Sequence, residues 1–248
     1  MAEPNFEEFI DALSNAATVD DIHSVCVRFC ETYEFGNFIY GACIPTSLSR
    51  PYMIYISGYP KTWRTLYNEQ HYVRVDPTVH HCAAHITPVR WDRLTPLAKK
   101  NPRIREFFGE AERHGLVSGI SFPVHTARGE SAMFSLASHE KHERSRKKIE
   151  KTAPYGQMFT AYLHEAVRRV FADELLPITN VRLTEREKQC LLWCAEGKTS
   201  WETALILGIS ERTVLYHIQN VTEKLNVSTR AQAVARAVSL GLISPQLD

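Results

Sequence analysis

Hydrophobic residues recur along the first part of the chain with two spacings, and each spacing predicts a different element. From Phe6 to about Tyr33 apolar residues stand among polar ones at helical spacing, which predicts two amphipathic helices. Asn37–Ile44 and Tyr52–Ser57 are instead rich in aromatic and β-branched residues, and a segment of Pro, Ser and Thr separates them. These two runs predict a pair of antiparallel strands.

The same order of helices and strands is repeated in the middle of the chain. A helical region is predicted from Lys61 to about Phe108, with several prolines interrupting it. Gly119–Val124 and Ser131–Ala137 are apolar runs on either side of residues 125–130, whose Ala-Arg-Gly core favours a turn. These runs predict a β-hairpin.

A long amphipathic helix is predicted to close this part of the chain, because apolar residues keep helical spacing from Tyr155 to Phe171. The helix is expected to begin near Pro154 and to end near Leu176. Strands segregated from helices predict an α+β domain over residues 1–176, with a central antiparallel sheet flanked by helices. Residues 177–182 lack periodicity and contain a proline, so they are the predicted linker to a second domain over residues 183–248.

The last quarter of the chain carries start and stop signals for four short helices. Thr followed three residues later by Glu predicts a capping box, and a later Gly predicts the left-handed end of the helix. The residues concerned are Thr184, Glu187 and Gly197 for the first helix, and Thr199, Glu202 and Gly208 for the second. Ser210 is expected to cap a third helix from Glu211 to about Leu225, and a fourth helix runs from near Ser228 to Gly241. Because only three residues join the second and third helices, the pattern predicts a helix-turn-helix within an all-α domain.

The third of these helices has two distinct faces. Its apolar residues, Val214, Ile218, Val221 and Leu225, follow the spacing of one buried stripe. The other faces carry side chains that can contact phosphates or base edges in a major groove: Arg212, Thr213, Tyr216, His217, Asn220 and Lys224. Arg230, at the start of the fourth helix, is expected to hold a phosphate. For any single residue a solvated polar role is an equal alternative, whereas the helix as a unit favours DNA binding.

Composition restricts the function without identifying it. The net charge of +1 gives no global signature for nucleic acid, so DNA binding has to come from a local patch. Six scattered cysteines do not form the framework of a small secreted protein, and we expect them to be reduced and mostly buried. No apolar run is long enough for a membrane span, and the N-terminus lacks a signal sequence. These features predict a cytoplasmic location without a membrane partner.

The C-terminal run from Leu183 to Ile243 resembles the DNA-binding domain of LuxR-type quorum-sensing regulators. The residues in register with the family are Glu187, Leu191, Gly197, Lys198, Ser210, Thr213, Val214, His217, Lys224, Leu225 and Gly241-Leu242. Thr203 departs from the family, which usually has an aliphatic residue there. The resemblance implies a transcription regulator that binds double-stranded DNA at a palindromic site as a homodimer, with RNA polymerase as an expected further partner.

In the N-terminal domain, residues 58–79 concentrate aromatic side chains around one acid, Asp76. Together with Trp91 they predict a closed apolar pocket with a few directed polar groups. A buried carboxylate must be paired or hydrogen-bonded, which the N–H of a ligand would achieve. The alternative is that Asp76 caps a helix that begins at Pro77, and the two roles are compatible if they use different oxygens.

This segment resembles the sensor domain of the same family, which binds N-acyl homoserine lactones, so a lactone is the expected ligand and no cofactor is expected. The resemblance implies that Asp76 accepts the ligand amide N–H and that Trp63 donates to the lactone carbonyl. Tyr59 and Ser135 would donate to the amide carbonyl. The remaining residues expected at the site are Tyr67, Trp91, Thr78, Val79, Gly41 and Arg64. The acyl tail is expected to run along Ile54, Ile56, Phe122, Met133 and the region of Ala42.

The sequence indicates neither a metal site nor an enzyme. His80, His81, Cys82 and His85 lie close together, but the remaining ligands of a metal site are not evident, so no metal is expected. No phosphate-binding loop, dinucleotide fingerprint or nucleophile elbow is present, so the sequence does not indicate an enzyme. The alternative to a ligand-responsive regulator is a ligand-independent DNA-binding protein controlled by a protein partner. A pocket filled by its own side chains would favour that alternative.

Overall fold

The computed structural model describes residues 5–46, 50–127, 129–172 and 181–244. The chain forms two compact units, one built from most of the residues up to Ala172 and the other containing Val181 onward. Of the predicted linker, residues 177–180 lie outside the described residues. None of the helices in these ranges is both long enough and apolar enough to cross a bilayer.

The N-terminal unit begins with the two predicted helices, α1 (Phe6–Asn15) and α2 (Val19–Thr32). A capping box starts α2, in which Thr18 accepts the N–H of Asp21 and the Asp21 carboxylate accepts the N–H of Thr18. The buried faces of both helices are apolar, and Phe9 of α1 packs edge-on against Phe29 of α2. This pair of helices covers part of the core with their hydrophobic stripes.

Within the described residues the sheet has five strands in the order β2-β1-β5-β4-β3, and the pairs β1–β5, β5–β4 and β4–β3 are antiparallel. The strands are β1 (Asn37–Ile44), β2 (Tyr52–Ser57), β3 (Val89–Arg90), β4 (Ser118–His125) and β5 (Ser131–Ser138). The α+β class and the antiparallel sheet are thereby confirmed. The two-residue strand β3 was not predicted, because a strand this short has no alternation to detect.

Three helices lie between β2 and β4 in the sequence and pack on one side of the sheet, the side toward which Ser121 of β4 points. They are α3 (Lys61–Glu69), α4 (Pro77–Ala84) and α5 (Pro102–Arg113), with short 3₁₀ turns at Tyr72–Arg74, Trp91–Arg93 and Thr95–Lys99. The prolines that interrupt the helical pattern start elements here, since Pro77 and Pro102 occupy first helical turns that lack N–H partners in any case.

The long helix α6 (His142–Val170) lies on the opposite side, and its start corrects the prediction. It begins at His142 rather than near Pro154, which stands inside it. Proline removes one backbone hydrogen bond, but the turns before it bury Ile149 and Thr152, and this packing holds the helix together. The predicted end near Leu176 lies outside the described residues.

One glycine sets the approach of α6 to the sheet. A Cβ built on Gly156 would lie only 2.2 Å from Cζ of Phe122 on β4, so the aromatic ring packs directly against the helix backbone. Phe122 and Phe159 of α6 are fully buried. One of the two aromatic parts of the core therefore lies between α6 and the sheet, and the other contains Trp63, Tyr72 and Phe107 on the opposite side.

The C-terminal unit contains the four predicted helices, α7 (Glu185–Ala195), α8 (Ser200–Leu207), α9 (Glu211–Lys224) and α10 (Arg230–Ser239). Both predicted capping boxes are present, and Gly208 ends α8 in the left-handed conformation at φ 64°. Thr229 caps α10, which starts at Arg230, near the predicted Ser228. The core is formed by buried Leu191, Val221, Leu225, Ala233 and Ala237.

Candidate ligand cavity and DNA-contacting helix

A cavity of about 390 Å³ lies in the N-terminal unit between the sheet and helices α3, α4 and α5. Its size falls in the range of small-molecule sites. Every residue predicted to surround the head group of the ligand lies in its wall: Gly41, Tyr59, Trp63, Arg64, Tyr67, Asp76, Thr78, Val79, Trp91 and Ser135. The structure therefore brings together residues that are spread over most of the N-terminal sequence.

The predicted path of the acyl tail is only partly correct. Ala42 and Met133 line the cavity, whereas Ile54, Ile56 and Phe122 do not. Side chains alternate between the two faces of a strand, and the residues of β2 that reach the cavity are Met53, Tyr55 and Ser57. Ile54, Ile56 and Phe122 are instead buried on the other face of the sheet.

The structure also shows wall residues that the sequence analysis missed. They include Phe107, Phe108 and Ala111 of α5, together with Leu116, Ile39 and Cys82. Strict alternation along β1 and β2 could have identified Ile39 and Tyr55. Nothing in the sequence indicated that α5 returns to the same cavity.

Asp76 uses its two oxygens separately. It is buried at the N-terminus of α4, where Oδ1 accepts the N–H of Thr78 at 2.8 Å and caps the helix. Oδ2 accepts the hydroxyl of Tyr67 at 3.0 Å. A carboxylate oxygen accepts more than one hydrogen bond, so Oδ2 retains capacity for a donor in the cavity.

Burial dominates the ionisation of this site. Desolvation raises the pKa of Asp76, and the hydrogen bonds from Thr78 and Tyr67 only partly oppose it. Burial and the Asp76 charge both raise the pKa of Tyr67 and of Tyr59, so these hydroxyls stay protonated. The cavity wall therefore contains one carboxylate whose charge is unfavourable to bury, that of Asp76, and the hydroxyl donors of Tyr59 and Tyr67.

Two buried aromatic side chains of the wall carry donors without a partner among the residues that the structure describes. These donors are the indole N–H of Trp63 and the hydroxyl of Tyr59, both on buried side chains that line the cavity. The ring of Trp63 is fixed by stacking on Tyr72 at 5.9 Å and by contact with Phe107 at 5.8 Å between ring centroids. Its orientation is thus set by packing, and its polar edge is left for an occupant of the cavity.

A short hydrogen-bond chain joins two wall residues, Trp91 and Ser135, on the sheet side of the cavity. The indole N–H of Trp91 donates to Oγ of Ser121 at 3.0 Å. Oγ of Ser121 lies 2.7 Å from Oγ of Ser135, and the two serines face each other across β4 and β5. Ser121 is fully buried and is not part of the wall.

Histidines and cysteines near the cavity do not assemble into a metal centre within the described ranges, where no group of three potential ligands occurs. His80 and His81 each use Nε2 to bond a backbone carbonyl, of Arg74 and Thr87 respectively. Burial raises the pKa of the Cys82 thiol to about 12, so it stays protonated at the cavity wall. All six cysteines are free thiols.

In the C-terminal unit, α9 presents a polar face beside the turn that joins it to α8. Of the predicted buried stripe, Val214, Val221 and Leu225 are buried, and Ile218 is half-buried. Of the residues predicted to contact DNA, Arg212, Tyr216, Lys224 and Arg230 are exposed, while Thr213, His217 and Asn220 are half-buried. Ser210 caps the helix through the N–H of Thr213, and the two hydroxyls lie 2.7 Å apart.

Two of the predicted DNA contacts have partners within the unit. Nζ of Lys224 lies 2.6 and 2.8 Å from the two carboxylate oxygens of Glu187, a side chain that is only 4% exposed. Burial alone would raise the pKa of Glu187, but hydrogen bonds from Lys224 and Thr184 and the Lys224 charge outweigh it and lower the pKa. Arg230 donates to the backbone carbonyl of Lys198 at 2.8 Å. Lys224 therefore joins α9 to α7, and Arg230 joins α10 to the segment between α7 and α8.

Comparison with protein families gives two matches that together span most of the chain. Residues 18–167 match the autoinducer binding domain, and residues 181–237 match the model for bacterial regulatory proteins of the luxR family. The first match contains the cavity, and the second contains the helix-turn-helix.

Individual relatives are similar over nearly their full length. The transcriptional activator protein AnoR of Acinetobacter nosocomialis is 35% identical, over 96% of this chain and 98% of that protein. The transcriptional activator protein AhyR of Aeromonas hydrophila is 32% identical, over 100% of this chain and 95% of that protein. Among solved structures, Escherichia coli SdiA has a TM-score of 0.78 at 22% identity, covering 97% of this chain and 98% of its own. SdiA has also been solved in complex with octanoyl-rac-glycerol, with a TM-score of 0.75 at 22% identity, covering 98% of this chain and 96% of its own.

Proposed function

Because the chain belongs to the LuxR family of bacterial regulatory proteins, we propose that it is a quorum-sensing transcriptional regulator whose N-terminal cavity binds an N-acyl homoserine lactone. The occupied cavity controls DNA binding by the C-terminal helices. The observation that carries this proposal is a buried carboxylate, Asp76, facing the same cavity as the unpartnered donors of Trp63 and Tyr59.

An acyl homoserine lactone offers complementary groups to each of these side chains. Its amide N–H donates to Asp76, which relieves the cost of a buried charge. Its two carbonyls accept from Trp63 at the lactone and from Tyr59 and Ser135 at the amide. Arg64, Tyr67, Thr78, Val79, Trp91 and Gly41 complete the surroundings of the head group. The acyl tail extends along the cavity-facing residues of β2 rather than along Ile54 and Ile56.

The alternative is a ligand-independent regulator controlled by a protein partner. That alternative is favoured by a cavity filled with its own side chains. A cavity of about 390 Å³ with unpartnered donors in its wall favours a small-molecule occupant instead.

The C-terminal unit supports DNA recognition through α9. Arg212 and Tyr216 are exposed on the face away from the core, and Asn220 and His217 lie beside them. A two-fold homodimer would place two copies of α9 in successive major grooves of a palindromic site. On α6, exposed Met158 and Tyr162 lie one turn apart and supply an apolar surface for such a dimer. We further propose that the dimer contacts RNA polymerase and, since its target is the chromosome, that it acts in the cytoplasm.

The experiment that tests this function measures the soluble yield and melting temperature of the protein with a panel of N-acyl homoserine lactones of varied chain length. A ligand that binds only the folded state raises the melting temperature by mass action. Octanoyl-glycerol is the comparison ligand, because it carries an acyl chain without an amide N–H. A rise with lactones that depends on Asp76 supports the proposal. Absence of any rise, in a protein that is already soluble and binds DNA, supports the ligand-independent alternative.

A further inference from the structure

The two serines behind the cavity differ in what their hydroxyl hydrogens can reach. Ser121 accepts the indole N–H of Trp91 at 3.0 Å and lies 2.7 Å from Ser135. The side chain of Ser121 is fully buried. Among the described residues, Ser135 is the only hydrogen-bond acceptor within reach of the Ser121 hydroxyl hydrogen. A serine hydroxyl has one hydrogen to donate and two lone pairs to accept with.

These contacts leave one favourable arrangement of hydrogens. If Ser135 donated to Ser121, the hydrogen of Ser121 would be buried without an acceptor, which is costly. If Ser121 donates to Ser135, the indole N–H of Trp91 and both the hydrogen and the oxygen of Ser121 have partners. The hydrogen of Ser135 then has only the cavity to donate to, since Ser135 lines the cavity and has no other partner in the described ranges.

We propose that Ser121 is a positioning residue that fixes Ser135 as a hydrogen-bond donor toward the bound ligand. The inference rests on the proposed ligand class and adds a selectivity rule to it. The ligand must place an acceptor, such as the amide carbonyl oxygen, opposite Ser135. Ligands that present a donor or a weak acceptor opposite Ser135 bind less tightly, although Ser121 itself does not contact the ligand.

The selectivity rule can be measured with a pair of probes. One probe is the N-acyl homoserine lactone whose chain length gives the largest rise in melting temperature, and the other is its thioamide, in which sulfur replaces the amide oxygen. Sulfur is the weaker acceptor, so the thioamide should bind less tightly. The dissociation constant of the thioamide divided by that of the parent lactone therefore reports hydrogen-bond donation to the amide oxygen. We expect Ser135→Ala to lower this ratio by roughly fivefold to tenfold, the worth of one hydrogen bond.

The decisive variant is Ser121→Ala, which leaves Ser135 in place but frees its hydroxyl to turn. We expect the ratio to fall at least about twofold, partway toward that of Ser135→Ala, because the donor is no longer held toward the ligand. Ser121→Thr keeps the hydroxyl and is expected to restore the ratio. If Ser121→Ala gives too little soluble protein, Ser121→Cys tests the same point with a thiol, which is a weak donor and acceptor.

Ser118 supplies a matched control. It is also a fully buried serine on β4, and its hydroxyl bonds the carbonyl of Glu140 and lies 2.6 Å from Ser145, outside the cavity wall. Ser118→Ala is expected to lower stability and to leave the ratio unchanged. An unchanged ratio in Ser121→Ala, with lactone still bound, overturns this inference alone. Failure of every lactone to bind overturns the ligand class and this inference together.

Discussion

The hydroxyl of Tyr67 lies 3.0 Å from Oδ2 of Asp76, while Oδ1 of the same carboxylate accepts the N–H of Thr78 at 2.8 Å. One oxygen therefore caps helix α4, and the other faces the cavity with a phenol beside it. The folding role and the binding role of Asp76 fall on different atoms. This separation allows one role to be changed without the other.

Asp76→Asn is expected to keep the fold and lose most of the ligand response. The amide oxygen still caps α4, and the amide nitrogen can donate to the Tyr67 oxygen, but the acceptor for a ligand N–H is gone. Losing a hydrogen bond to a charged group costs about 1.5–3 kcal/mol, or roughly tenfold to a hundredfold in affinity. Melting curves with and without lactone measure the effect. A full ligand shift in this variant would contradict the role given to Asp76.

Lys224→Met is expected to destabilise the C-terminal unit by about 1–3 kcal/mol, because it leaves the buried carboxylate of Glu187 without its partner. Thermal unfolding monitored by circular dichroism gives the change. Lys188→Met, which removes a pair between more exposed side chains in the same unit, is the control and should cost little. Glu187→Gln combined with Lys224→Met should recover part of the loss. If Lys224→Met instead weakens DNA binding with unchanged stability, Lys224 acts at the DNA.

The pH dependence of the same unit follows from Glu187. Because its folded pKa lies below its ordinary value of 4.5, its contribution to stability is fully present above that value and is lost as the pH falls through the folded pKa. Melting temperatures of the protein between about pH 3.5 and 6 should show this loss. Glu187→Gln should flatten the decline, and Glu185→Gln, at an exposed position of the same helix, should not. Equal slopes for all three proteins would show that the pair does not control acid stability.

Arg212→Gln is expected to weaken DNA binding in a salt-dependent way. If Arg212 contacts a phosphate, its loss reduces the slope of log affinity against log salt by about one. Binding to a cognate promoter fragment, measured across several salt concentrations, gives the slope. Lys188→Gln removes an equal charge from the exposed surface of α7 and serves as the control. The same loss of slope in both variants would indicate a general charge effect rather than a contact by α9.

The sequence predicted most accurately where local chemistry decides the structure. The capping boxes at Thr184 and Thr199 and the stop at Gly208 depend on residues within a few positions, so they could be identified from the sequence alone. The start of α6 could not, because a proline normally marks a boundary and only the burial of Ile149 against the rest of the unit overrides it.

For the cavity too, features set by neighbouring residues could be predicted, and features set by contacts between distant residues could not. Aromatic residues around Asp76 indicated that a pocket exists, and the resemblance indicated which residues line it. The face on which each strand residue lies was available from alternation but was misassigned at Ile54 and Ile56. The hydrogen-bond chain through Ser121 depends on the register that pairs it with Ser135 and on the placement of Trp91, which no local pattern specifies.

The contact between Gly156 and the ring of Phe122 has a consequence for how this sequence can diverge. Because the ring occupies the space of a side chain on α6, any larger residue at position 156 would push the helix away from the sheet and open the core. A smaller residue at position 122 would permit such a change. The two positions are therefore expected to covary, so that a glycine in one descendant and an alanine in another are each accompanied by a residue of matching size on β4.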